Sequence, residues 1–366
     1  MRNNDKIILL SESIGAGGAE RQLVSLAVSL KQKNESVEVW TYYPNDFYLP
    51  LLTQANVAYR CVANGLSRGR RLLRIIRELY EERPSVVVAY LDTACVMACV
   101  AKLVLKVLGR GFRLIVSKRN VTRKLGRRDK IKFFLYRFAD YIVPNSYTQS
   151  EFIRQNYPSL TDKIHVITNS VDAEYFHPKE NLKEESDTIR ILTVARISQQ
   201  KNVVNYIRAI KNVVDAGLKM RVDWYGEATD ENYYEACCDE INLLNLTDVF
   251  SFHHSTRNVR DAYWNADVFC LPSLYEGFPN VVCEAMACGL PIACSRVCDN
   301  ERIVEDGENA VLFEPDNVED MTQKLISILQ LSEEDRRKMG RKSRAIIESK
   351  FSPDTFINQY LDLIHG

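Results

Sequence analysis

The sequence has no apolar run long enough to span a bilayer. The longest candidate, residues 94–108, is interrupted by Lys102 and Lys106, whereas a spanning helix needs about 20 consecutive apolar residues. The amino-terminal MRNNDKIILL lacks the charged-then-apolar form of a secretion leader. The ten cysteines lack the spacing of a disulfide framework. We therefore expect a cytoplasmic protein with reduced thiols, which would meet a membrane only at its surface.

Short β-branched runs alternate with helical apolar patterns along the chain, whose 366 residues suffice for two domains of ordinary size. The predicted strands are KIILL, SVEVW, VAYRCV, SVVVAY, RLIVS, DYIVPNS and KIHVI, followed by TIRILTVA, MRVDWYG, DVFSFH, DVFCLPS, PIACS and AVLF. The predicted helices are residues 19–33, 70–82, 93–108, 130–138, 203–216, 232–244, 281–287 and 318–329. This alternation predicts an α/β fold of two doubly wound, Rossmann-like domains with parallel sheets, which face each other across a cleft.

The apolar periodicity stops at residues 177–187, HPKENLKEESD, where charge dominates. We interpret this segment as the linker between an amino-terminal domain, residues 1–180, and a carboxy-terminal domain, residues 186–351. Open α/β sheets bind ligands at the carboxyl ends of their strands. The loops that follow predicted strands are therefore the places to look for chemistry.

The segment YEGFPNVVCEAMACGLP follows a predicted strand and places two carboxylates, Glu276 and Glu284, eight residues apart. The strand is expected to end near residue 273. Pro279 suits the first turn of a helix and Asn280 its cap. The free backbone N–H groups of residues 280–282 would then form an anion site, aided by the helix dipole.

The two carboxylates indicate what kind of ligand such a site would hold. They would repel a phosphate, but they would accept hydrogen bonds from sugar hydroxyl groups. Gly277 would let the ligand approach the backbone closely. The pattern favours a ligand with sugars on both sides of a diphosphate. The alternative is that Glu276 is a solvated loop residue and Glu284 a first-turn helix charge.

Two cations follow the first predicted strand of the second domain. The motif VARISQQKN places Arg196 and Lys201 in a strand-to-helix loop. Together they would neutralise a diphosphate, although cations in loops are often simply solvated.

A glycine-rich turn follows the first predicted strand of the chain. SIGAGGAERQL supplies Gly15, Gly17 and Gly18 just before a predicted helix, which is typical of a phosphate or close-approach site. A dinucleotide fingerprint is the alternative, but Glu20 stands where that pattern needs a third glycine.

In this order the motifs resemble the retaining, nucleotide-sugar-dependent glycosyltransferases of family 4 (group 1), of the surface-polysaccharide type, which have the GT-B architecture. EGFPNVVCEAMACGLP resembles the family's E-x7-E segment, GAGGAERQLVSLA its glycine loop, KIHVITNSVDAEYFHP its domain-crossing segment and VARISQQKN its diphosphate loop. DWYGE, ADVFCLPSLYEGFP, DNERIVEDGENAVLFEPDN and KFSPDTFINQYL follow in the expected order. The resemblance thus covers essentially the whole chain.

The resemblance implies a retaining transferase that needs no metal or cofactor. It would move a hexosyl or N-acetylhexosaminyl group from a nucleotide-diphosphate sugar, expected to be a UDP-sugar, to a lipid-linked glycan acceptor in polysaccharide or glycoconjugate biosynthesis. Catalysis would be electrostatic, because cations are preorganised where negative charge develops on the departing phosphate. The carboxy-terminal helix, residues 352–366, would pack back on the amino-terminal domain.

The resemblance also implies roles for single residues. Glu284 would bind the ribose hydroxyls and Glu276 the transferred sugar. The implied catalytic residues are Glu276, Arg196 and Lys201. The implied donor-binding residues are Gly15, Gly17, Gly18, Arg196, Lys201, Glu276, Gly277, Phe278, Pro279, Asn280, Val281 and Glu284.

Two positions depart from the family's pattern. Many relatives carry a His in the first domain that contacts the donor sugar, but the corresponding stretch here reads IVSKRNVTRK. It resembles a Ser-x-Arg-Asn variant, which makes Lys118, Arg119 and Asn120 candidate sugar or acceptor contacts. In SRVCDN, Cys298 stands where relatives often have Gly, and it would narrow the loop near the sugar.

Charge is distributed unevenly along a chain that carries 48 basic and 48 acidic side chains in total. Residues 1–180 carry 28 basic and 17 acidic side chains. Residues 102–137 contain thirteen Lys or Arg and a single acid, Asp129, interleaved with aromatic residues. This composition suits an anionic lipid surface. The alternative is a solvated face, and no nucleic-acid recognition motif accompanies the charge.

Other functions remain open at this point. A sugar-nucleotide epimerase of similar fold, a dehydrogenase or a non-catalytic sugar-nucleotide-binding protein could also use parts of these motifs. Four cysteines lie within residues 283–298, but they lack a C-x2-C pair, which favours buried small side chains over a zinc site. His253 and His254 end a predicted strand and are interpreted as structural or solvent-facing.

Overall fold

The protein is described here by a computed structural model that covers residues 6–122, 125–180, 187–256 and 258–366. The chain divides into two compact units, Met1–Ser170 with Pro353–Gly366, and Val171–Ser352. Arg123 and Lys124 of the basic stretch, and residues 181–186 of the predicted linker, lie outside the described residues.

A six-stranded parallel sheet forms the centre of the first unit. Its strands are β1 (Ile7–Leu10), β2 (Val37–Thr41), β3 (Ala58–Cys61), β4 (Val86–Tyr90), β5 (Arg113–Lys118) and β6 (Tyr141–Pro144). Their order is β3-β2-β1-β4-β5-β6, and Ile7 of β1 lies opposite both Val37 of β2 and Val86 of β4. β1, β2 and β4 are buried along their whole length, as expected for continuous apolar strands covered on both faces.

Helices cover both faces of this sheet. They are α1 (Gly18–Gln32), α2 (Leu49–Gln54), α3 (Arg68–Glu82), α4 (Asp92–Val107), α5 (Arg127–Tyr136) and α6 (Tyr147–Asn156), followed by a 3-10 helix, Pro158–Lys163. Apolar side chains of α1, such as Leu23 and Leu26, form the core on one face, and those of α4, such as Cys99 and Leu105, form the core on the other.

The second unit repeats this plan. Its strands are β7 (Ile189–Val194), β8 (Met220–Tyr225), β9 (Phe250–His253), β10 (Val268–Leu271), β11 (Ile292–Ser295) and β12 (Ala310–Phe313), in the parallel order β12-β11-β10-β7-β8-β9. Its helices are α7 (Val203–Asp215), α8 (Glu231–Leu243), α9 (Val259–Asn265), α10 (Asn280–Ala287), α11 (Asn300–Ile303), α12 (Val318–Leu329) and α13 (Glu333–Lys350), with a 3-10 helix at Gln199–Lys201. Both sheets are parallel and doubly wound, which confirms the predicted fold of two Rossmann-like domains.

The last helix, α14 (Pro353–His365), belongs to the first unit. Its buried face, which includes Phe356, Tyr360 and Ile364, joins the same apolar core as α1. The Arg113 guanidinium binds carbonyl groups at the end of this helix. The chain thus leaves the first unit after Ser170 and returns to it at Pro353.

Two predicted strand features are wrong. KIHVI is not a strand, because its Lys163 ends a 3-10 helix and Ile164 makes only an isolated bridge to Ile142. β10 ends at Leu271, two residues earlier than predicted. No helix in the described ranges combines the length and the hydropathy needed to cross a bilayer.

Candidate functional site

The strand order of the second unit changes direction between β7 and β10. These two strands are neighbours, although three helices and two strands separate them in the sequence. Ligands of open α/β sheets bind outside the carboxyl ends of the strands at such a switch point. The loop after β7 contains Arg196 and Lys201, and the loop after β10 contains Glu276. The fold therefore places the predicted cations and the first predicted carboxylate at one position of the sheet.

Gln200 joins these two loops. Its carbonyl oxygen accepts a hydrogen bond from Leu274 N–H at 2.8 Å, and its Nε2 donates to Tyr275 O at 2.9 Å. The turn ends at Asn202, whose left-handed backbone (φ 59°) starts α7 and whose side-chain amide donates to Pro315 O at 2.7 Å. These contacts fix the backbone on both sides of Lys201.

Glu276 is buried, with 8% of its surface exposed, and Oε1 of its carboxylate is hydrogen-bonded within the fold. Oε1 accepts hydrogen bonds from Lys201 Nζ and, at 2.6 Å, from Ser273 Oγ. A buried carboxylate needs such partners, because desolvation of an unpaired charge is costly. The structure thus brings Lys201 and Glu276 into one ion pair, whereas the sequence indicated only that both face the same ligand.

Arg196 differs from Lys201 in its surroundings. Its side chain is exposed, and within the described ranges it makes no ion pair. Its charge is therefore available to an anion at the carboxyl end of β7.

The turn that opens α10 corrects one prediction. Asn280 N–H donates to Phe278 O and Val282 N–H donates to Pro279 O, both at 3.0 Å. The expectation of three free N–H groups at residues 280–282 is therefore wrong for two of them. The N–H group of Val281 remains as the donor of this turn without a partner among the described residues. The α10 end offers one backbone donor to an anion rather than three.

The other named residues of this turn lie beside that donor. Gly277 is half-buried, and Pro279, rather than the predicted Asn280, occupies the cap position of α10. Phe278 is buried, with its ring 5.9 Å from that of Phe351. The aromatic side chain therefore belongs to the core, and only the backbone of this residue can face a ligand.

Glu284 lies on the buried side of α10. Its Oε2 accepts a hydrogen bond from the hydroxyl of Tyr263 in α9 at 3.0 Å. Burial raises the pKa of the neighbouring Cys283 and Cys288 thiols, and the Glu284 carboxylate raises it further. The carboxylate is thus oriented by a neighbouring helix, as a residue that binds sugar hydroxyls would need to be.

Cys298 contacts the backbone of Glu276. Its Sγ accepts a hydrogen bond from Glu276 N–H at 3.3 Å, and its own backbone is left-handed with φ 50°. This is the conformation that glycine adopts at least cost. The structure therefore explains why a glycine suits this position, and it places the thiol directly at the proposed sugar site.

The glycine loop of the first unit, which connects β1 to α1, is partly occupied by an acid. Gly15 is buried, Gly17 is half-buried and Gly18 is exposed. A Cβ atom added to Gly17 would lie 2.1 Å from Glu20 Oε2, so this carboxylate lies directly over the loop. Burial, followed by the nearby charge of Glu12, raises the pKa of Glu20. A phosphate could approach this loop closely only if the Glu20 side chain moved.

Arg119 is buried inside the first unit. Its guanidinium donates to Ser117 Oγ at 2.7 Å, to Asn169 Oδ1 at 2.6 Å and to the Tyr360 hydroxyl at 2.6 Å. A fourth hydrogen bond reaches the Tyr90 hydroxyl at 3.2 Å. Its donors are therefore committed to β5, to the segment just before the chain leaves the unit, and to α14.

Lys118 is also buried, with no exposed side-chain surface. Its Nζ lies 3.5 Å from Asp92 Oδ1 and donates to Asn120 O. Burial lowers the pKa of Lys118 to about 8, although the Asp92 carboxylate acts in the opposite direction. Of the three residues predicted to contact sugar or acceptor, only Asn120 is exposed.

Several partners of the predicted residues were not themselves predicted as site residues. Ser273 and Tyr263 orient the two glutamates, and Asp92 and Tyr360 hold the basic pair in the first unit. Ser273 could have been suspected, because it follows a strand at the switch point. Tyr263 could not, because nothing in the sequence indicates that α9 packs beside α10.

The cysteines and histidines set aside earlier have local partners. Among the described residues none of the ten cysteines forms a disulfide, and Cys283, Cys288 and Cys294 are buried. His253 Nε2 lies 2.7 Å from Asp223 Oδ1, and His254 is exposed. Within the described ranges no group of three or more His, Cys, Asp or Glu side chains is arranged to hold a metal ion.

Two family models together match most of the chain. The model of glycosyltransferase family 4 matches residues 16–175, and the model of glycosyl transferases group 1 matches residues 176–346. The chain belongs to the family 4, group 1 glycosyltransferases, which have the GT-B fold. The alternatives of an epimerase and a dehydrogenase therefore have no support at the level of family.

Relatives with assigned functions include enzymes of surface-glycan synthesis. The chain is 29% identical over 217 residues to the N-acetylgalactosamine-N,N'-diacetylbacillosaminyl-diphospho-undecaprenol 4-alpha-N-acetylgalactosaminyltransferase of Campylobacter jejuni. This match covers 59% of the chain and spans 57% of that relative. The chain is also 26% identical over 301 residues to the capsular polysaccharide biosynthesis glycosyltransferase CapM of Staphylococcus aureus, with 77% of each covered.

A solved structure has the same fold. Anabaena Alr3699/HepE, crystallised in complex with UDP and glucose, superposes with a TM-score of 0.85 at 18% identity. The match covers 99% of this chain and 100% of the other.

Proposed function

We propose that this glycosyltransferase moves a hexosyl or N-acetylhexosaminyl group from a UDP-sugar to a lipid-linked glycan, with retention of anomeric configuration and without a metal. The observation that carries the proposal is the group formed by Lys201, Glu276 and Ser273 at the switch point between β7 and β10. It combines a cation for a diphosphate with an oriented carboxylate for a sugar.

The donor would lie along the carboxyl ends of these strands. Glu284, oriented by Tyr263, would bind the ribose hydroxyls, and Glu276 the hydroxyls of the transferred sugar. Arg196 and Lys201 would bind the diphosphate between them, and the Val281 N–H would add a backbone donor.

The transfer breaks the bond between the anomeric carbon and the phosphate oxygen and forms a bond from that carbon to the acceptor oxygen. The electron pair of the broken bond leaves with the nucleoside diphosphate, where Lys201 and Arg196 would stabilise it. The acceptor hydroxyl gives its proton to the departing phosphate. The new bond forms on the face from which the diphosphate leaves, so configuration is retained and Glu276 does not act as a nucleophile.

Donor and acceptor classes are inferred from relatives. UDP and glucose are the ligands of the HepE complex, and the C. jejuni relative is named for a diphospho-undecaprenol acceptor. A lipid-linked acceptor requires work at a bilayer surface, and the basic, aromatic stretch of the first unit suits an anionic one. We therefore propose a peripheral location at the inner face of the cytoplasmic membrane.

Incubation of the full chain with radiolabelled UDP-glucose, UDP-galactose, UDP-N-acetylglucosamine or UDP-N-acetylgalactosamine tests the proposal. Each reaction contains EDTA and a bacterial lipid extract as acceptor source. Release of UDP with label in the lipid fraction supports the transferase. Isomerised donor would indicate an epimerase, and binding without turnover would indicate a non-catalytic protein.

The site assignment has its own variants. Glu276→Ala is expected to remove turnover and keep part of the donor binding, whereas Glu284→Ala is expected to weaken donor binding. Glu235→Ala, an exposed carboxylate on α8 of the same unit, is the matched control. Normal rates in both site variants would overturn the assignment.

A further inference from the structure

Helix α5 presents an unusual outer face. Its large apolar side chains Ile131 and Phe134 are 62% and 51% exposed. They are three residues apart, so they lie side by side on one face of the helix. The opposite face, with Phe133 and Tyr136, is buried in the core of the first unit. Single exposed apolar residues are normal on a protein surface, so this pair is informative only together with its neighbours.

Cations surround this apolar pair. At about 3.6 residues per turn, Arg127 projects between Ile131 and Phe134, Arg128 flanks them on one side, and Lys130 and Arg137 flank them on the other. All four cations are exposed. We call these six residues (Arg127, Arg128, Lys130, Ile131, Phe134 and Arg137) the α5 patch.

The charge of the α5 patch is not neutralised locally. The only acid of the helix, Asp129, pairs with Lys132 at 2.9 Å and accepts a hydrogen bond from Gly126 N–H at 3.0 Å. Arg127, Arg128 and Lys130 make no ion pair within the described part of the chain. The guanidinium of Arg137 lies over the Phe134 ring, 4.4 Å from its centroid. The patch therefore offers cations to a partner.

A pocket of about 360 Å³ opens beside the patch, between α5 and the turn from α6 into the 3-10 helix Pro158–Lys163. Its apolar wall is formed by Leu125, Phe133, Tyr157 and Leu160. Lys130 and Arg137 of the patch also line it. The volume is within the range of about 300–1,000 Å³ that is usual for small-molecule sites. An apolar interior with cations at its edge suits an amphiphile with an anionic head.

The first half of α5 lies near the ligand-binding edge of its sheet. Lys132, on the inner face of α5, binds Asp92 Oδ2 at 2.9 Å, and Asp92 is the first residue of α4 after β4. The carboxyl ends of β4 and β1 form the switch point of this unit. The start of α5 therefore lies near the edge at which a ligand of the first unit is expected, whereas Arg137 follows its last residue and precedes β6 at the opposite edge.

We propose that α5 lies in the interface of an anionic bilayer and that the adjoining pocket holds one of its phospholipids. The lipid phosphate would lie between Lys130 and Arg137, with part of an acyl chain against Tyr157 and Leu160. Charge complementarity and the exposed apolar pair select this partner, because cations bind anionic headgroups while apolar side chains enter the acyl boundary. The inference deepens the proposed function and rests on its membrane-surface location.

Cosedimentation of the full chain with phosphatidylcholine vesicles, with and without phosphatidylglycerol, tests this. Two double variants probe the patch, Ile131→Ser with Phe134→Ser and Lys130→Ser with Arg137→Ser. We expect each to lower partitioning onto the anionic vesicles by about tenfold or more. Arg68→Ser with Arg70→Ser, two exposed cations of α3, and Leu243→Ser, a residue of α8 that is 74% exposed, are the matched controls and should bind normally.

The location of the helix in the lipid is measured separately. Phe134→Trp should be quenched by lipids with brominated acyl chains, and Leu73→Trp, at a position in α3 that is 68% exposed, should not. Equal quenching at both positions, or equal binding by the patch variants and the controls, would overturn the proposal. Binding to heparin provides a further check. If Ile131→Ser with Phe134→Ser changed neither heparin binding nor vesicle binding, the patch would be a general polyanion-binding surface, and the proposal would be overturned.

Failure here is distinguishable from failure of the proposed function. UDP release from a UDP-sugar without vesicles should be unchanged in the patch variants. If the patch variants keep this turnover and vesicle binding does not depend on the α5 patch, only the lipid inference is wrong. If vesicle binding depends on the α5 patch but the protein turns over no UDP-sugar, the lipid inference holds and the transferase proposal is wrong.

Discussion

Lys201 donates a hydrogen bond from Nζ to Oε1 of Glu276, and only 11% and 9% of the two side chains are exposed. The lysine is therefore neutralised before any ligand binds. A diphosphate bound to Lys201 has to share the ammonium group with a carboxylate that repels it. Diphosphate affinity and contact with the sugar thus depend on the same ion pair.

Glu276→Gln should tighten UDP binding while it removes transfer. The amide keeps the size of the side chain, but it no longer repels the diphosphate. We expect the Kd of UDP to fall roughly fivefold, which corresponds to about 1 kcal/mol. Titration calorimetry at low and high salt measures this, and the gain should shrink at high salt.

Glu235→Gln removes an exposed carboxylate from the same unit and should leave the Kd of UDP unchanged. Weaker UDP binding by Glu276→Gln would contradict the placement of the diphosphate beside Lys201.

Cys298 offers a test of backbone strain at the proposed sugar site. Its φ of 50° costs any side chain with a Cβ atom about 1 kcal/mol, which glycine avoids. Cys298→Ala and Cys298→Gly both remove the sulfur that accepts the Glu276 N–H hydrogen bond. The glycine variant should nevertheless be the more stable of the two, because glycine removes the backbone strain. The expected gain is only a few tenths to about 1 kcal/mol, since glycine also increases the entropy of the unfolded chain. Urea denaturation measures the difference, and a less stable glycine variant would contradict the strain.

The fold could be predicted from periodicity, but the contacts at the site could not. Continuous apolar runs such as IILL and VVVAY are typical of buried parallel strands, and they were located correctly. KIHVI has a similar composition, yet it follows a 3-10 helix and makes a single bridge. The charged helix α13 has too weak an apolar stripe to be recognised.

At the site, the sequence likewise predicts the residues but not the contacts between them. The sequence indicates that Lys201 and Glu276 both follow strands. It does not indicate that β7 and β10 are neighbours, because strand order is set by how helices cross the sheet. Burial was the other missing fact. The motif makes Lys118 and Arg119 candidate ligand contacts, whereas their side chains are enclosed by Asp92, Tyr90 and Tyr360.

Arg119 should be required for the stability of the first unit. Arg119→Met would leave the hydroxyl of Tyr360 and the amide of Asn169 without their strongest partner. We expect a loss of about 3 kcal/mol or more in the free energy of unfolding, against about 1 kcal/mol for Tyr360→Phe. Urea denaturation gives the sizes, and hydrogen exchange should be faster in α14.

The exposed Arg68→Met is the control and should change stability by less than about 0.5 kcal/mol. Unchanged exchange in α14 of Arg119→Met would show that the guanidinium does not hold this helix in place.

Lys118 should give the protein a measurable pH dependence of stability. Burial lowers its pKa from 10.5 to about 8 in the folded protein. Between these values the unfolded chain binds more protons than the folded protein, so this group makes stability rise with pH. From pH 7.5 to pH 10 the rise should be about 2 kcal/mol.

Other buried groups act in the opposite direction, because burial raises the pKa of thiols such as Cys95 and of phenols such as Tyr136. The difference between wild type and Lys118→Met removes most of that background. Urea denaturation at both pH values should show the wild type gaining about 2 kcal/mol relative to the variant as pH rises. A constant difference would mean that Lys118 titrates in the folded protein as it does in the unfolded chain, and that the Asp92 ion pair fully offsets its burial.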